Sequence, residues 1–259
     1  MAEYLSVEEA RHRPGLRLVL TRGVPGPWGE AAKGLFHVKG IPFARVSQEA
    51  GGANEALRAW TGQASAPVAV LDDEPPCTTR FAILHLAERL EPWPRLLPEE
   101  PEARADVLGW MELIAGEMGF GWCRRLMMID ALERAAELPA PVRAIASRLA
   151  SRYGYLPAEA AAAPERAAAI LAGVGRRLRS QAARGSRHLV GDALSAADIT
   201  WAAFAALVQP LPEAQCPMSG PMRASYESRH PALREALDPI VLEHRNFVYE
   251  GWLELPVDL

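Results

Sequence analysis

The chain has 259 residues, of which 49% are apolar and 23% charged, and its formal net charge is −4. This composition is that of an ordinary globular protein with one large or two small domains. The small charge, without long runs of one sign, argues against nucleic acid or an anionic membrane as the main partner. No window offers the roughly 20 unbroken apolar residues that a membrane helix needs.

The cysteines and the N-terminus indicate a cytoplasmic protein. Cys77, Cys123 and Cys216 form no CxxC pair and have no zinc-like spacing, so we expect reduced thiols and no metal site. The first 13 residues are mostly polar and lack an apolar signal segment. The high alanine and arginine content is typical of a GC-rich bacterial source.

The first half of the chain alternates between predicted strands and helices. Its strands are short apolar runs, and its helices repeat apolar residues at helical spacing. Pro27 suits a first helical position, and Gly40 ends the helix that follows. The predicted order is strand 16–20, helix 27–38, extended segment 41–46, helix 54–60, strand 67–71 and helix 83–90.

A proline-rich linker separates this half from a second half that is helical throughout. Residues 91–101 contain four prolines, too many for a helix or an interior strand. Alanine has the highest helix propensity, so the stretch 158–169 is predicted as packed helix on either side of Pro164. The helical patterns cover residues 107–118, 126–138, 141–153 and 164–183.

The segment 188–209 contains the most specific local signal. Ser195 stands at an N-cap position with Asp198 three residues later, which predicts a capping box. Leu194 and Ile199 would form the hydrophobic staple around it. The following residues are apolar almost all round, so we expect a helix buried on every side, with Asp198 satisfying its start.

These features together resemble the glutathione S-transferase superfamily, over about residues 14–210. The resemblance implies an α+β chain with a thioredoxin-like, glutathione-binding-type domain at 14–91, a linker at 92–100 and an all-helical glutathione-transferase-type domain at 101–259. It also implies glutathione as co-substrate, a small-molecule electrophile as second substrate, and a homodimer. The tail beyond residue 210 matches no part of the family pattern; His244 within it is read as structural.

The resemblance places the reacting thiol at the start of the first helix. Many members have a serine or cysteine directly before the proline there, as a donor that lowers the pKa of the thiol. This chain has Gly26 before Pro27, so that donor is absent. Thr21 is a candidate hydroxyl but is favoured as a hydrogen-bonded turn residue. Trp28 either walls a substrate pocket or packs the helix on the sheet, and the helix-start amides remain for a thiolate.

Two further segments correspond to the family's glutathione site. Ser65, Ala66 and Pro67 match the turn before a cis-proline, where backbone groups bind the cysteinyl part of glutathione. Thr79 and Arg80 stand where the family has an acidic residue followed by serine, at a helix start that holds the γ-glutamyl carboxylate. Arg80 would repel the γ-glutamyl ammonium and attract a carboxylate or phosphate, unless it extends to solvent.

The helical domain supplies candidates for the electrophile pocket. Aromatic and methionine side chains suit a mostly apolar, adaptable site, although helical spacing also fits plain core packing. Of two adjacent arginines, one is expected in solvent. The candidates are Trp110, Met111, Trp122, Arg124 and Arg125.

Three functions follow from these residues. The leading one is thiol conjugation of glutathione to an electrophile. The alternative is a family member without glutathione chemistry that binds another ligand or acts as a scaffold, which Gly26 and Arg80 favour. The third, a thiol-disulfide reductase that uses Cys77, lacks a neighbouring base and has the least support.

Overall fold

The computed structural model describes residues 3–259 and begins with a four-stranded sheet. Its strands are β1 (Tyr4–Leu5), β2 (Leu16–Thr21), β3 (Ala44–Gln48) and β4 (Val68–Leu71), in the order β1-β3-β2-β4. The central strand β2 runs parallel to β3 and antiparallel to β4. Residues 16–20 of β2 are all buried, Arg17 included, as in a strand that is covered on both faces.

Four helices cover the two faces of this sheet: α1 (Val7–Ala10), α2 (Pro27–Val38), α3 (Glu55–Thr61) and α4 (Arg80–Leu90). Successive side chains of a strand point to opposite faces. Leu18 therefore joins the core beneath α2 and α4, whereas Val19 joins a second core with α1 and α3. This layered arrangement is the thioredoxin-like domain that the sequence predicted.

Two boundaries of this domain differ from the predictions. The sheet begins at residue 4 rather than 14, because β1 pairs in parallel with β3 and α1 is started by a capping box between Ser6 and Glu9. Strand β3 begins at Ala44 rather than 41, after Pro42, which has no N–H to donate to a strand ladder.

The second half is helical, as predicted. Leu90 ends α4 and Pro101 begins α5, with residues 91–100 between them. Helix α8 runs without a break through Pro164, instead of lying on either side of it. Buried Ala160, Ala163 and Ala167 pack this part of α8, which offsets the backbone hydrogen bond that proline removes. The first helices are α5 (Pro101–Ala115), α6 (Phe120–Glu133), α7 (Ala140–Arg152) and α8 (Pro157–Ala182).

Helix α9 (Ala196–Phe204) is the centre of this domain, and each of its nine residues is buried. Its capping box is present as predicted. The Asp198 carboxylate accepts hydrogen bonds from the Ser195 amide at 2.8 Å and from the Ser195 hydroxyl at 2.7 Å. It also accepts the Leu189 amide at 2.7 Å, and His244 Nε2 lies 2.8 Å away. His244 is therefore part of the structural support of α9.

The tail ties the two domains together. A 3₁₀ turn (Ala205–Leu207) leads to α10 (Gly220–Tyr226), α11 (Pro231–Ala236) and α12 (Ile240–Trp252). Beyond α12, the carbonyl of Asp258 accepts a hydrogen bond from Lys33 Nζ of α2 at 2.8 Å. Arg45 of β3 is 3.4 Å from the carboxylate of Glu254. In residues 3–259 no helix is long and apolar enough to cross a membrane.

Candidate functional site

A cleft of about 400 Å³ lies between the two domains. Its volume is within the range of small-molecule sites. One wall comes from the thioredoxin-like domain and the other from α5, α6, α7 and α9. The residues around it are Trp28, Ala31, Ala32, Leu35, Gln63, Ser65, Ala66, Pro67, Thr78, Thr79, Arg80, Ile83, Met111, Ala115, Trp122, Arg152, Tyr153, Thr200 and Phe204.

Ser65, Ala66 and Pro67 line this cleft together. The bond between Ala66 and Pro67 is cis. The register of β2 with β4 ends at the pair Val19 and Val68, so Ala66 lies just outside the ladder. Its backbone N–H and C=O are in the position from which an extended ligand can be bound by strand addition.

The start of α4 forms a second polar edge of the cleft. Thr79 is the N-cap, and its hydroxyl accepts a hydrogen bond from the Ala82 amide at 3.1 Å. The amides of Arg80 and Phe81 lie in the first turn of α4, so they have no hydrogen-bond acceptor within the helix. Thr79 and Arg80 both line the cleft, which makes this helix start a candidate carboxylate site.

The charge of Arg80 is balanced, which the sequence did not predict. Its guanidinium forms an ion pair with Glu112 of α5 and stacks over the Phe81 ring at 4.4 Å. Burial lowers the pKa of Arg80. Arg80 thus does not present an unpaired positive charge to the cleft.

A smaller cavity of about 140 Å³ adjoins the cleft at the start of α2. Gly26 is the N-cap of α2 and lines the smaller cavity, whereas Trp28 lines both. Thr21 also lies in the smaller cavity, and its hydroxyl is 2.6 Å from Gln48 Oε1, to which it donates. Thr21 is therefore the hydrogen-bonded strand-end residue that the sequence analysis favoured.

Trp28 bridges the two domains in an aromatic cluster. Its indole N–H donates to the Ala115 carbonyl at 2.9 Å, and its ring meets Phe204 edge-on at 4.8 Å. This contact requires Gly121 on α6, because a Cβ there would lie 2.2 Å from Phe204. Trp28 therefore packs the two domains together and also lines the cleft, so its two interpretations from the sequence do not exclude each other.

Met111 and Trp122 line the cleft, but the other three candidates of the helical domain, Trp110, Arg124 and Arg125, do not. Trp110 packs on the core next to Gly173 of α8. Arg124 is buried, and its guanidinium donates to the carbonyls of Leu207 and Tyr226 at 2.9 and 3.3 Å. Arg124 therefore connects helices of the domain. It does not reach the cleft because successive residues of α6 point in different directions, and only one face of the helix borders the cleft.

Sequence reasoning missed Gln63, Thr78, Arg152, Tyr153 and Thr200, which also line the cleft. Arg152 and Tyr153 end α7, and the Tyr153 ring packs edge-on against Trp122 at 4.9 Å. Their place at a helix end was visible in the periodicity. Their approach to Trp28 depends on how α7 packs, which no local pattern shows.

The cysteines give no support to thiol chemistry of the protein itself. Burial is the main cause that raises the pKa of Cys77, with Glu74 adding to it, and Cys77 pairs through its backbone with Ala69. Burial also raises the pKa of Cys123. A nucleophilic cysteine needs the opposite shift. Within residues 3–259, no group of histidine, cysteine and acidic side chains could hold a metal ion.

The sequence matches no model of a protein family. It also matches no curated protein.

Solved structures, in contrast, are similar over most of the chain. A glutathione S-transferase domain-containing protein from Marinobacter aquaeolei VT8 is 20% identical with a TM-score of 0.62, over 92% of this chain and 100% of that one. A glutathione S-transferase from Methylobacterium radiotolerans JCM 2831, in complex with glutathione sulfonate, is 18% identical with a TM-score of 0.58, over 92% of each chain. The β-etherase LigF from Sphingobium sp. strain SYK-6 is 16% identical with a TM-score of 0.56, over 85% of this chain and 98% of that one.

These similarities agree with the architecture built up from the residues. A thioredoxin-like sheet domain is followed by a helical domain around the buried helix α9, and the cleft lies between them. The chain has the fold of the glutathione S-transferases.

Proposed function

We propose that this protein binds glutathione in the cleft and conjugates its thiol to a small-molecule electrophile. The observation that carries the proposal is one cavity with two unlike walls. Backbone and hydroxyl groups at Ser65, Ala66 and Thr79 form one wall, and Met111 and Trp122 contribute an apolar surface opposite. Such a cavity suits a polar peptide held against an apolar second substrate.

The polar wall offers groups for the cysteinyl and γ-glutamyl parts of glutathione. The backbone of Ala66 would pair with the cysteinyl residue as an added strand. The free amides at the start of α4 would bind the γ-glutamyl carboxylate. Glu112 pairs with Arg80, so Arg80 would repel the γ-glutamyl ammonium less than an unpaired arginine would.

The start of α2 would stabilise the thiolate. Partial positive charge at a helix N-terminus favours an anion, and Gly26 brings no side chain that would cover the amides. The thiol loses its proton to solvent, sulfur forms a bond to the electrophilic carbon, and the leaving group departs with its bonding electrons. Tyr153 lines both cavities and is the phenol we propose as a further hydrogen-bond donor to sulfur.

A specific observation favours the second candidate, a protein of this fold that binds without catalysis. Gly26 has no hydroxyl or thiol, and the Thr21 hydroxyl is held by Gln48. Thiol activation would then depend on backbone amides and Tyr153 alone. A protein of this second kind would bind a ligand in the cleft but would not conjugate glutathione.

The test combines calorimetric titration with glutathione and a conjugation assay with 1-chloro-2,4-dinitrobenzene. Binding with turnover supports the transferase, binding without turnover supports the second candidate, and no binding contradicts the transferase and favours a different ligand or partner. Ala31→Trp should fill the cleft and abolish binding, since Ala31 lines it. Ala105→Trp, at an exposed position of α5, is the matched control and should bind as the unmodified protein does.

A further inference from the structure

The smaller cavity at the start of α2 is a side chamber of the cleft. The two are adjacent, since both are lined by Trp28, Ser65, Ala66, Arg152 and Tyr153. The side chamber is bounded by the sheet edge and α2 on one side and by α6 and α7 on the other. It begins where a thiol at the start of α2 would meet its second substrate.

Two arginines line the side chamber without an acidic partner. Arg125 of α6 and Arg152 of α7 are both half-buried there. In the described part of the chain, neither forms an ion pair with a carboxylate. The acidic residue in this wall, Glu30, is 3.0 Å from Lys33 Nζ and is neutralised by it. Two unbalanced positive charges therefore face one small cavity.

The contacts that these arginines do make are with neutral groups. The Arg125 guanidinium stands 6.0 Å from the Trp28 ring centre and 5.8 Å from that of Tyr153. Arg152 donates to the Ala64 carbonyl at 3.4 Å, a long bond that leaves most of its donors available. Aromatic faces and carbonyls hold the guanidinium groups in place without cancelling their charge.

We infer that the side chamber selects electrophiles that carry an anionic group on an aromatic ring. Arg125 and Arg152 bind the carboxylate or sulfonate, and Trp28 and Tyr153 stack on the ring. The inference deepens the proposed function and rests on it for the reaction itself. The anionic group is a handle and takes no part in the step: glutathione sulfur displaces the leaving group from the ring, and the anion is unchanged.

The interaction predicts a preference that can be measured without any reaction. 3,5-Dinitrobenzoate and 3,5-dinitrobenzamide have nearly the same shape and differ in charge. Calorimetric titration should give a dissociation constant about tenfold lower for the carboxylate, since charge-assisted bonds to arginine are strong and tenfold corresponds to about 1.4 kcal/mol. The preference should shrink in concentrated salt.

Variants assign the preference to the two arginines. Arg125→Gln and Arg152→Gln should each remove most of it, while binding of the amide changes little. Arg125→Lys keeps the charge and should retain part of the carboxylate preference. It thereby shows that the loss in Arg125→Gln is not caused by misfolding. Arg143→Gln is the control. Arg143 is exposed on α7 and lines neither cavity, so this substitution removes the same charge at a position away from both. It should leave the preference intact.

Titration with glutathione in parallel separates this inference from the proposed function. A carboxylate preference that needs Arg125 and Arg152 supports the side chamber even if glutathione does not bind, in which case only the proposed function fails. Glutathione binding with equal affinity for the two aromatic ligands overturns the inference and leaves the proposed function standing. A preference that survives in the Arg125→Gln, Arg152→Gln double variant also overturns it.

Discussion

Replacing Asp198 with asparagine tests the network that starts helix α9. The carboxylate is fully buried and meets four donors at 2.7 to 2.8 Å: the amides of Leu189 and Ser195, the Ser195 hydroxyl and His244 Nε2. A carboxylate accepts hydrogen bonds at both oxygens, whereas the NH₂ group of asparagine is a donor. Whichever oxygen becomes NH₂, it faces one backbone N–H that cannot turn away.

The magnitude follows from the donors that lose their acceptor. The Ser195 hydroxyl can rotate and His244 can shift its proton, but the backbone N–H stays buried without a partner. An unmade buried hydrogen bond costs about 1 to 3 kcal/mol, and losing the charge weakens the bonds that remain, so we expect a loss of about 3 kcal/mol. For a chain of this size that is a fall in Tm of about 6 to 12 °C.

The assay is denaturant and thermal unfolding followed by circular dichroism at pH 7. Asp192→Asn is the matched control, because Asp192 is exposed six residues away and its replacement should stay within about 0.5 kcal/mol of the unmodified protein. If Asp198→Asn destabilises the protein by less than about 1 kcal/mol, the reasoning on buried donors is refuted.

The pH dependence gives a second check on Asp198. Burial acts to raise its pKa, but the hydrogen bonds from His244, Leu189 and Ser195 prevail and hold the pKa below the ordinary value of 3.8. A lowered carboxyl pKa stabilises the folded state above the unfolded value and loses that stabilisation as pH falls through the folded value. The difference between the unmodified protein and Asp198→Asn should therefore be full at neutral pH and shrink in acid below pH 3.8.

Five further variants address the helix start and the cleft. Ser195→Ala should cost about 1 kcal/mol of unfolding free energy, and unchanged thermal stability would contradict its role as N-cap. Gly26→Ser should raise kcat/KM about tenfold and shift the pH–rate profile to lower pH, because the serine hydroxyl adds a hydrogen-bond donor to sulfur. The side chain should fit, since a Cβ at Gly26 meets no atom within 4 Å. Gly26→Ala, which adds no donor, should change neither. Arg80→Gln should strengthen glutathione binding and Glu112→Gln should weaken it. Each change should be about three- to tenfold, the effect of one charge at about 6 Å in a half-exposed site. Equal effects of the same sign would rule out an ammonium beside Glu112.

The sequence by itself determined the elements whose signals are local. The run 16–20, Pro27 before a helical repeat and the prolines of 91–101 predicted a thioredoxin-like half and a helical half, because apolar periodicity and proline chemistry act within a few residues. The pair Ser195 and Asp198 predicted the start of α9, since a capping box is read over four positions. The assignment of Ala66 and Pro67 to the ligand site, in contrast, rested on the resemblance to the glutathione S-transferases.

Only the tertiary structure decided what meets across the two domains. The ion pair of Arg80 with Glu112 joins residues that are 32 positions apart, and Tyr153 reaches Trp28 from the end of α7. Arg124 and Arg125 are neighbours in sequence, yet the first is enclosed by carbonyls and the second lines the side chamber. Successive residues of a helix face different directions, so the crossing of the helices, and not the order of the residues, set which charge reaches the site.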